Sequence, residues 1–164
     1  MSRALTWLKN AAVRTLHTAV PGTARPDDAW ARERMPAAEY ALYEALSPAE
    51  RVHALAIARC ALARGGDGVA VRAALLHDVG KLGFDNNVVW RVLSHLLGPS
   101  DAAAEPRLSS LAGTRQAARH HPAYGEALIL AAGGDPEVAR IVALHHDPGD
   151  SAPARLLKEC DELA

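Results

Sequence analysis

Val69-Ala70-Val71-Arg72-Ala73-Ala74-Leu75-Leu76-His77-Asp78-Val79-Gly80 is the stretch whose reading decides the fold. It is almost wholly apolar, shows no alternation, and ends on a histidine–aspartate pair before glycine. Residues 69–78 therefore read as a buried helix, the most buried element of the chain, stopped by Gly80 and Gly83. Alanine makes up about a fifth of the 164 residues, and aromatics only 4%. Alanine is the best helix former and a poor strand former. No other stretch alternates apolar and polar residues over a strand length. The expected class is all-α, a compact single-domain helical bundle.

Helix signals recur on both sides of this stretch. Upstream, residues 3–19 place Leu5, Leu8, Ala12, Leu16 and Ala19 on one face, and Pro21, Gly22 and Pro26 mark a loop. A short helix follows Asp28, and Pro36 suits the first turn of a helix over 37–46. Ser47-Pro48-Ala49-Glu50 has the form of a capping box. It opens a helix to about Arg64 with His53, Ala56, Ile57 and Cys60 along one side. Downstream, helices are expected over 87–97, 109–119, 122–132, 136–145 and 153–163, with residues 100–106 as a mobile loop. There is no internal repeat.

Charge and cysteine usage narrow the class. A net charge of −1 and a pI of 6.7 argue against a protein that binds a nucleic-acid polymer by broad phosphate neutralisation. Cys60 and Cys160 form no CxxC pair, which fits a reducing compartment with neither a disulfide framework nor a thiolate zinc site. Lys9 and Arg14 interrupt the apolar pattern of residues 1–20, against a signal peptide. No uncharged apolar run approaches the ~20 residues of a membrane helix. The expectation is a soluble cytoplasmic protein with no membrane partner; nothing in the sequence fixes its oligomeric state.

The chemistry sits in the histidines. There are eight, and six occupy four places: His53, His77, His120-His121 and His145-His146. Asp78 follows His77, and Asp161 comes late in the chain. Imidazole and carboxylate together make a ligand set for iron, manganese or zinc. A lone histidine on an apolar helix is usually a hydrogen-bonded core residue, and His17 and His95 are read that way. Chance or helix ends account for any one of the other places alone, but not for all of them in this order.

Leu75-Leu76-His77-Asp78-Val79-Gly80-Lys81 resembles the signature of the HD-domain superfamily of metal-dependent phosphohydrolases. Val52-His53-Ala54-Leu55-Ala56 resembles that family's first histidine helix. His121-Pro122-Ala123-Tyr124-Gly125 resembles the HP-x-x-G segment of its bacterial members. Ala143-Leu144-His145-His146-Asp147 resembles their paired-histidine segment, with Asp where Glu is usual. Residues 156–163 resemble the final helix that carries the aspartate, here Asp161. The resemblance covers roughly residues 48–164, so a hydrolase domain over 47–164 is expected behind a helical extension over 1–46. The HD-GYP phosphodiesterases look closest. The Gly-Tyr-Pro segment that names them is absent, because Asp147-Pro148-Gly149-Asp150-Ser151 is too short to supply it. A small stand-alone HD hydrolase is the better match.

The resemblance implies His53, His77, Asp78 and Asp161 around one ion, and Asp78, His121, His145 and His146 around a second. A carboxylate has two oxygens and can bridge two cations, whereas an imidazole cannot, so Asp78 is the natural bridge. Such ions neutralise phosphate oxygens and generate hydroxide near neutral pH. The expected activity is hydrolysis of a small-molecule phosphate ester, a nucleotide first among candidates, with one or two divalent ions. Iron and manganese rank ahead of zinc, nickel, cobalt and magnesium. Lys81 reads either as a cation favoured at a helix C-terminus or, as the motif implies, as a contact to a substrate phosphate. Arg115 and Arg119 are candidates for a second phosphate contact. Two other readings compete: a non-catalytic HD-derived signalling or scaffold domain, and a di-iron redox bundle. Retention of every ligand position argues against the first. The absence of helical Glu-x-x-His pairs argues against the second.

Overall fold

The computed structural model describes residues 24–84, 90, 93, 94, 97, 98 and 100–164. The expected helix over 3–19, most of that over 87–97, and His17 and His95 lie outside the described residues. Within them the fold is all-α, with no strand.

Its helices are α1 (Asp28–Arg32), α2 (Ala37–Glu44), α3 (Pro48–Ala63), α4 (Gly68–Leu76), α5 (Ser110–Ala131), α6 (Pro136–Leu144) and α7 (Ala152–Leu163), with a 3-10 turn at Val79–Lys81 after α4. The starts follow local side-chain chemistry. Glu50 N–H donates to Ser47 Oγ, and Ser47 N–H donates to Glu50 Oε2, completing the capping box of α3. Asp27, Asp67, Asp135 and Ser151 each accept a first-turn N–H of α1, α4, α6 and α7.

α4 is the central element, packed against α2, α3, α6 and α7. Ala54, Ala58, Ala73, Ala74 and Ala154 are fully buried, which lets the helix backbones approach closely, and Ile57, Leu75, Leu76, Ile129, Ile141 and Leu157 fill the remaining space. Ala31, Met35, Tyr40, Tyr43 and Leu46, from α1, α2 and the segments beside them, belong to this same core cluster.

Four local expectations change. The buried residues of α3 are His53, Ala54, Leu55, Ile57, Ala58 and Ala61; Ala56 faces solvent. α4 stops at Leu76, with His77 as its C-cap and Asp78 already outside the helix at φ −101° and ψ 2°. The helices expected over 109–119 and 122–132 are one, with Pro122 inside it. Proline removes a helical hydrogen bond and costs about 3 kcal/mol in a free helix. Here His121, Pro122, Tyr124 and Gly125 are all buried, and tertiary packing outweighs that cost. The loop expected to be mobile is anchored: Gln116 Nε2 donates to the carbonyls of Ala103, Ala104 and Pro106, and Tyr124 Oη donates to that of Ala104.

Arg72, the one charge within α4, explains itself through residues far away in sequence. Its guanidinium bonds Glu39 Oε1 at 3.0 Å and Asp135 Oδ2 at 2.7 Å, and Glu39 Oε1 also accepts Asp135 N–H at 3.0 Å. Glu39 is fully buried. This network ties α2 and the start of α6 to α4. Arg72→Ala leaves the Glu39 charge buried without its cation. We expect a loss of about 3 kcal/mol, measured by urea unfolding of the metal-free protein; a midpoint equal to wild type would refute the role.

Candidate metal centre

The site forms where several helix ends and two helix faces converge. His53 comes from α3, His77 and Asp78 from the end of α4, and His121 from the middle of α5. His145 is the C-cap of α6, with His146 following it, and Asp161 comes from α7. Candidate ligand atoms gather in two groups, His53–His77–Asp161 and His121–His145–His146, within each of which they lie no more than 4.8 Å apart. Asp78 joins the two, its Oδ1 standing 3.5 Å from His77 Nε2 and 3.3 Å from His121 Nε2. His53 Nε2 is 3.1 Å from Asp161 Oδ1. The His77 and His145 rings meet edge to face at 5.6 Å, so the groups share a wall.

Backbone carbonyls set the imidazole tautomers. His77 Nδ1 lies 2.9 Å from the Ala74 carbonyl, His121 Nδ1 2.9 Å from that of Ala117, and His145 Nδ1 2.6 Å from that of Val142. A carbonyl only accepts, so each Nδ1 carries the proton and each Nε2 presents its lone pair to the cluster. Among the described residues, buried His77 Nε2 has no hydrogen-bond partner. His121 Nε2 and His145 Nε2, both acceptors in this state, face each other at 3.3 Å. Buried lone pairs directed at one another need a cation between them. The donor set fits a divalent transition metal.

The electrostatics agree. Burial alone pushes the Asp78 carboxyl up, but the neighbouring His77, Lys81 and His121 outweigh it and hold the group well below the usual carboxylate range. Burial likewise raises Asp161, and the His53 hydrogen bond, with His77 nearby, holds it low. Burial and Lys81 lower His121. Burial, with His77, His121 and His146 nearby, takes His145 down to about 2. Burial, His121 and Lys81 take the more exposed His146 to about 4.

An acid response follows for the metal-free protein. Folded, His145 stays neutral down to about 2 and His121 is held below its ordinary value, whereas unfolded both bind protons below ~6.5. The unfolded state then holds more protons, so stability falls as pH drops below that value, by up to about 1.4 kcal/mol per pH unit for each histidine. Urea midpoints compared at about pH 7 and pH 5 check this. A flat response would mean the two rings are protonated in the fold.

Lys81 Nζ lies 2.7 Å from the Asp78 carboxylate at the edge of the cluster, partly open to solvent. Arg115 bonds the carbonyls of Gly98 and Leu97, and Arg119 bonds that of Ser100 together with Asp101, so these two arginines hold the 97–101 segment. His120 bonds the Ala102 carbonyl. Two contacts beside the site escaped the sequence reading. Lys158 Nζ donates to the His146 carbonyl at 3.1 Å; its position one turn before Asp161 was the available signal. Cys60 and Cys160 are joined in a disulfide, with Cα atoms 5.8 Å apart, which corrects the expectation that the chain has none. The two are 100 residues apart, and nothing local marks them as neighbours.

Compared with known proteins, the chain matches the HD domain family profile over residues 52–164. The chain belongs to the HD-domain family. HD domains form a superfamily of metal-dependent phosphohydrolases and bind divalent metals, and some members are non-catalytic. No curated protein and no solved structure matches the chain. No helix among the described residues of this HD domain is long and apolar enough to cross a membrane.

Proposed function

We propose that this HD domain, over 47–164 behind the extension 1–46, hydrolyses a phosphate ester of a small molecule, a nucleotide first among candidates, in the cytoplasm. The observation that carries the reading is two convergent ligand groups joined by one buried, ionised aspartate. His53, His77, Asp78 and Asp161 would hold one divalent ion, and Asp78, His121, His145 and His146 a second. Iron and manganese suit the donors best, and zinc, nickel, cobalt and magnesium remain alternatives. When bound, such ions neutralise phosphate oxygens and acidify a coordinated water.

The protein's own groups do the rest. Asp78 keeps its charge because His77 and Lys81 stand beside it, so it faces both groups as an anion. The Ala74, Ala117 and Val142 carbonyls keep three imidazoles in the ligating tautomer. His146 and Asp161 are the more exposed members, so substrate enters on their side. The Lys81 ammonium meets a phosphate oxygen there, while Arg115 and Arg119 hold the 97–101 segment for a second phosphate contact.

The test is a panel of nucleoside monophosphates, cyclic nucleotides, dinucleoside polyphosphates and guanosine tetraphosphate. Each is assayed with manganese, iron and magnesium after anaerobic purification. Turnover of one class with bound transition metal supports the reading. Protein that holds no metal and turns over none of the panel would instead be a scaffold. Lys81→Met is expected to lower kcat on the substrate found by roughly 10²-fold, the usual scale for a lost charge-stabilising donor. An unchanged kcat would return Lys81 to a purely structural place beside Asp78.

A further inference from the structure

The Cys60–Cys160 disulfide lies outside the ligand set yet links the two helices that bring His53 and Asp161 together. Cys60 follows His53 by two turns on α3, and Cys160 immediately precedes Asp161 on α7. α7 also governs the other ligand group. Lys158 holds the His146 carbonyl, and Arg155 Nη2 donates to the Gly149 carbonyl in the turn that follows His146. The seating of one helix thus positions Asp161 and braces His146.

Among the described residues the remaining seat of that helix is a narrow apolar strip, with Leu156 and Ala164 partly buried against the core beside it. Its buried residues are Ala154, Leu157 and Cys160. The Arg64–Glu159 ion pair is roughly half exposed and so contributes weakly. A 12-residue helix is marginal without its packing. Cys160 is fully buried, whereas Cys60 is partly open to solvent. The bond is therefore reachable, and from the Cys60 side.

We propose that Cys60–Cys160 is a reversible thiol–disulfide site: oxidised, it seats α7 and completes the metal centre; reduced, it releases Asp161 from His53. The inference rests on the metal-centre reading above. The reductant is a dithiol. Its thiolate attacks Cys60 Sγ, the S–S bond breaks, and Cys160 Sγ leaves with the electron pair, 4.0 Å from the Arg64 guanidinium. The second thiol of the reductant then attacks its own sulfur in the mixed disulfide and expels Cys60. Two electrons and two protons reach the cysteines, and the dithiol becomes a cyclic disulfide.

The experiment uses the full chain in two states. One is oxidised with glutathione disulfide. The other is reduced with dithiothreitol, which is then removed under nitrogen. Alkylation and mass measurement count the thiols. Mn²⁺ affinity is measured by calorimetry, and hydrogen exchange is followed in the metal-free protein. Reduction is expected to weaken Mn²⁺ binding by roughly tenfold, within the usual range of coupling between two sites. It should also speed exchange in α7 more than in α4, and reoxidation should restore both. Cys60→Ala should behave like the reduced protein and ignore dithiothreitol. Equal Mn²⁺ affinity and equal α7 exchange in the two states would overturn the proposal, as would a Cys60→Ala protein that still responds. If neither state binds Mn²⁺, the metal-centre reading fails, while α7 exchange in the metal-free protein still decides the latch.

Discussion

Asp78→Asn is expected to yield a folded protein that holds neither ion and hydrolyses phosphate esters only at background. Asparagine keeps the size and one oxygen of aspartate but loses the negative charge, and it is a poor partner for two cations at once. Asp78 Oδ1 stands between a nitrogen of each ligand group, so its loss reaches both groups together. The fold has less at stake. The asparagine amide would still bond His121, and Lys81, already partly exposed, can turn to water. A change in metal-free stability within about 1 kcal/mol is expected, since the substitution preserves shape and hydrogen bonding. Metal analysis, turnover and a urea curve on the same preparation separate these effects. A normal metal load with normal turnover would sink the bridging assignment.

Gly80→Ala carries the largest expected cost to stability. A Cβ there would lie 1.9 Å from the His121 carbonyl oxygen and 2.6 Å from the Gly125 nitrogen. Both are backbone atoms of α5, and neither can swing aside as a side chain would. The Val79–Lys81 turn or α5 itself must move, and that motion separates Asp78 from His121. We expect a loss of more than about 4 kcal/mol, in the tail that single substitutions seldom reach, together with lost metal binding. Gly125→Ala meets Val142 Cγ1 at 2.9 Å, a side chain that can yield, and should cost clearly less. Equal thermal stability of the Gly80→Ala and wild-type proteins would show that the close approach is not a constraint.

What was legible in the sequence was whatever is written locally. The Ser47–Glu50 capping box, the Asp135-Pro136 start and the apolar run of α4 all act within a few residues. The histidine and aspartate types that gather at the centre were visible as rare polar residues in apolar helices. Illegible features arise only when distant segments meet. The Glu39–Arg72–Asp135 network joins residues up to 96 apart, and the disulfide joins residues 100 apart. Gly80 read as a helix stop, yet the spacing of α5 against the turn is what excludes a side chain there. Pro122 read as a boundary, because the burial that carries the helix through it is tertiary.

The three carbonyl-fixed imidazoles place function and robustness in opposition. They crowd uncharged lone pairs into a dry interior that apolar side chains of the same volume would fill more favourably. Replacing His145 with leucine should therefore make the metal-free protein sturdier while emptying the second ligand group. Drift toward stability alone would erase the cluster. A descendant that lost its substrate would lose these residues first and keep its helices.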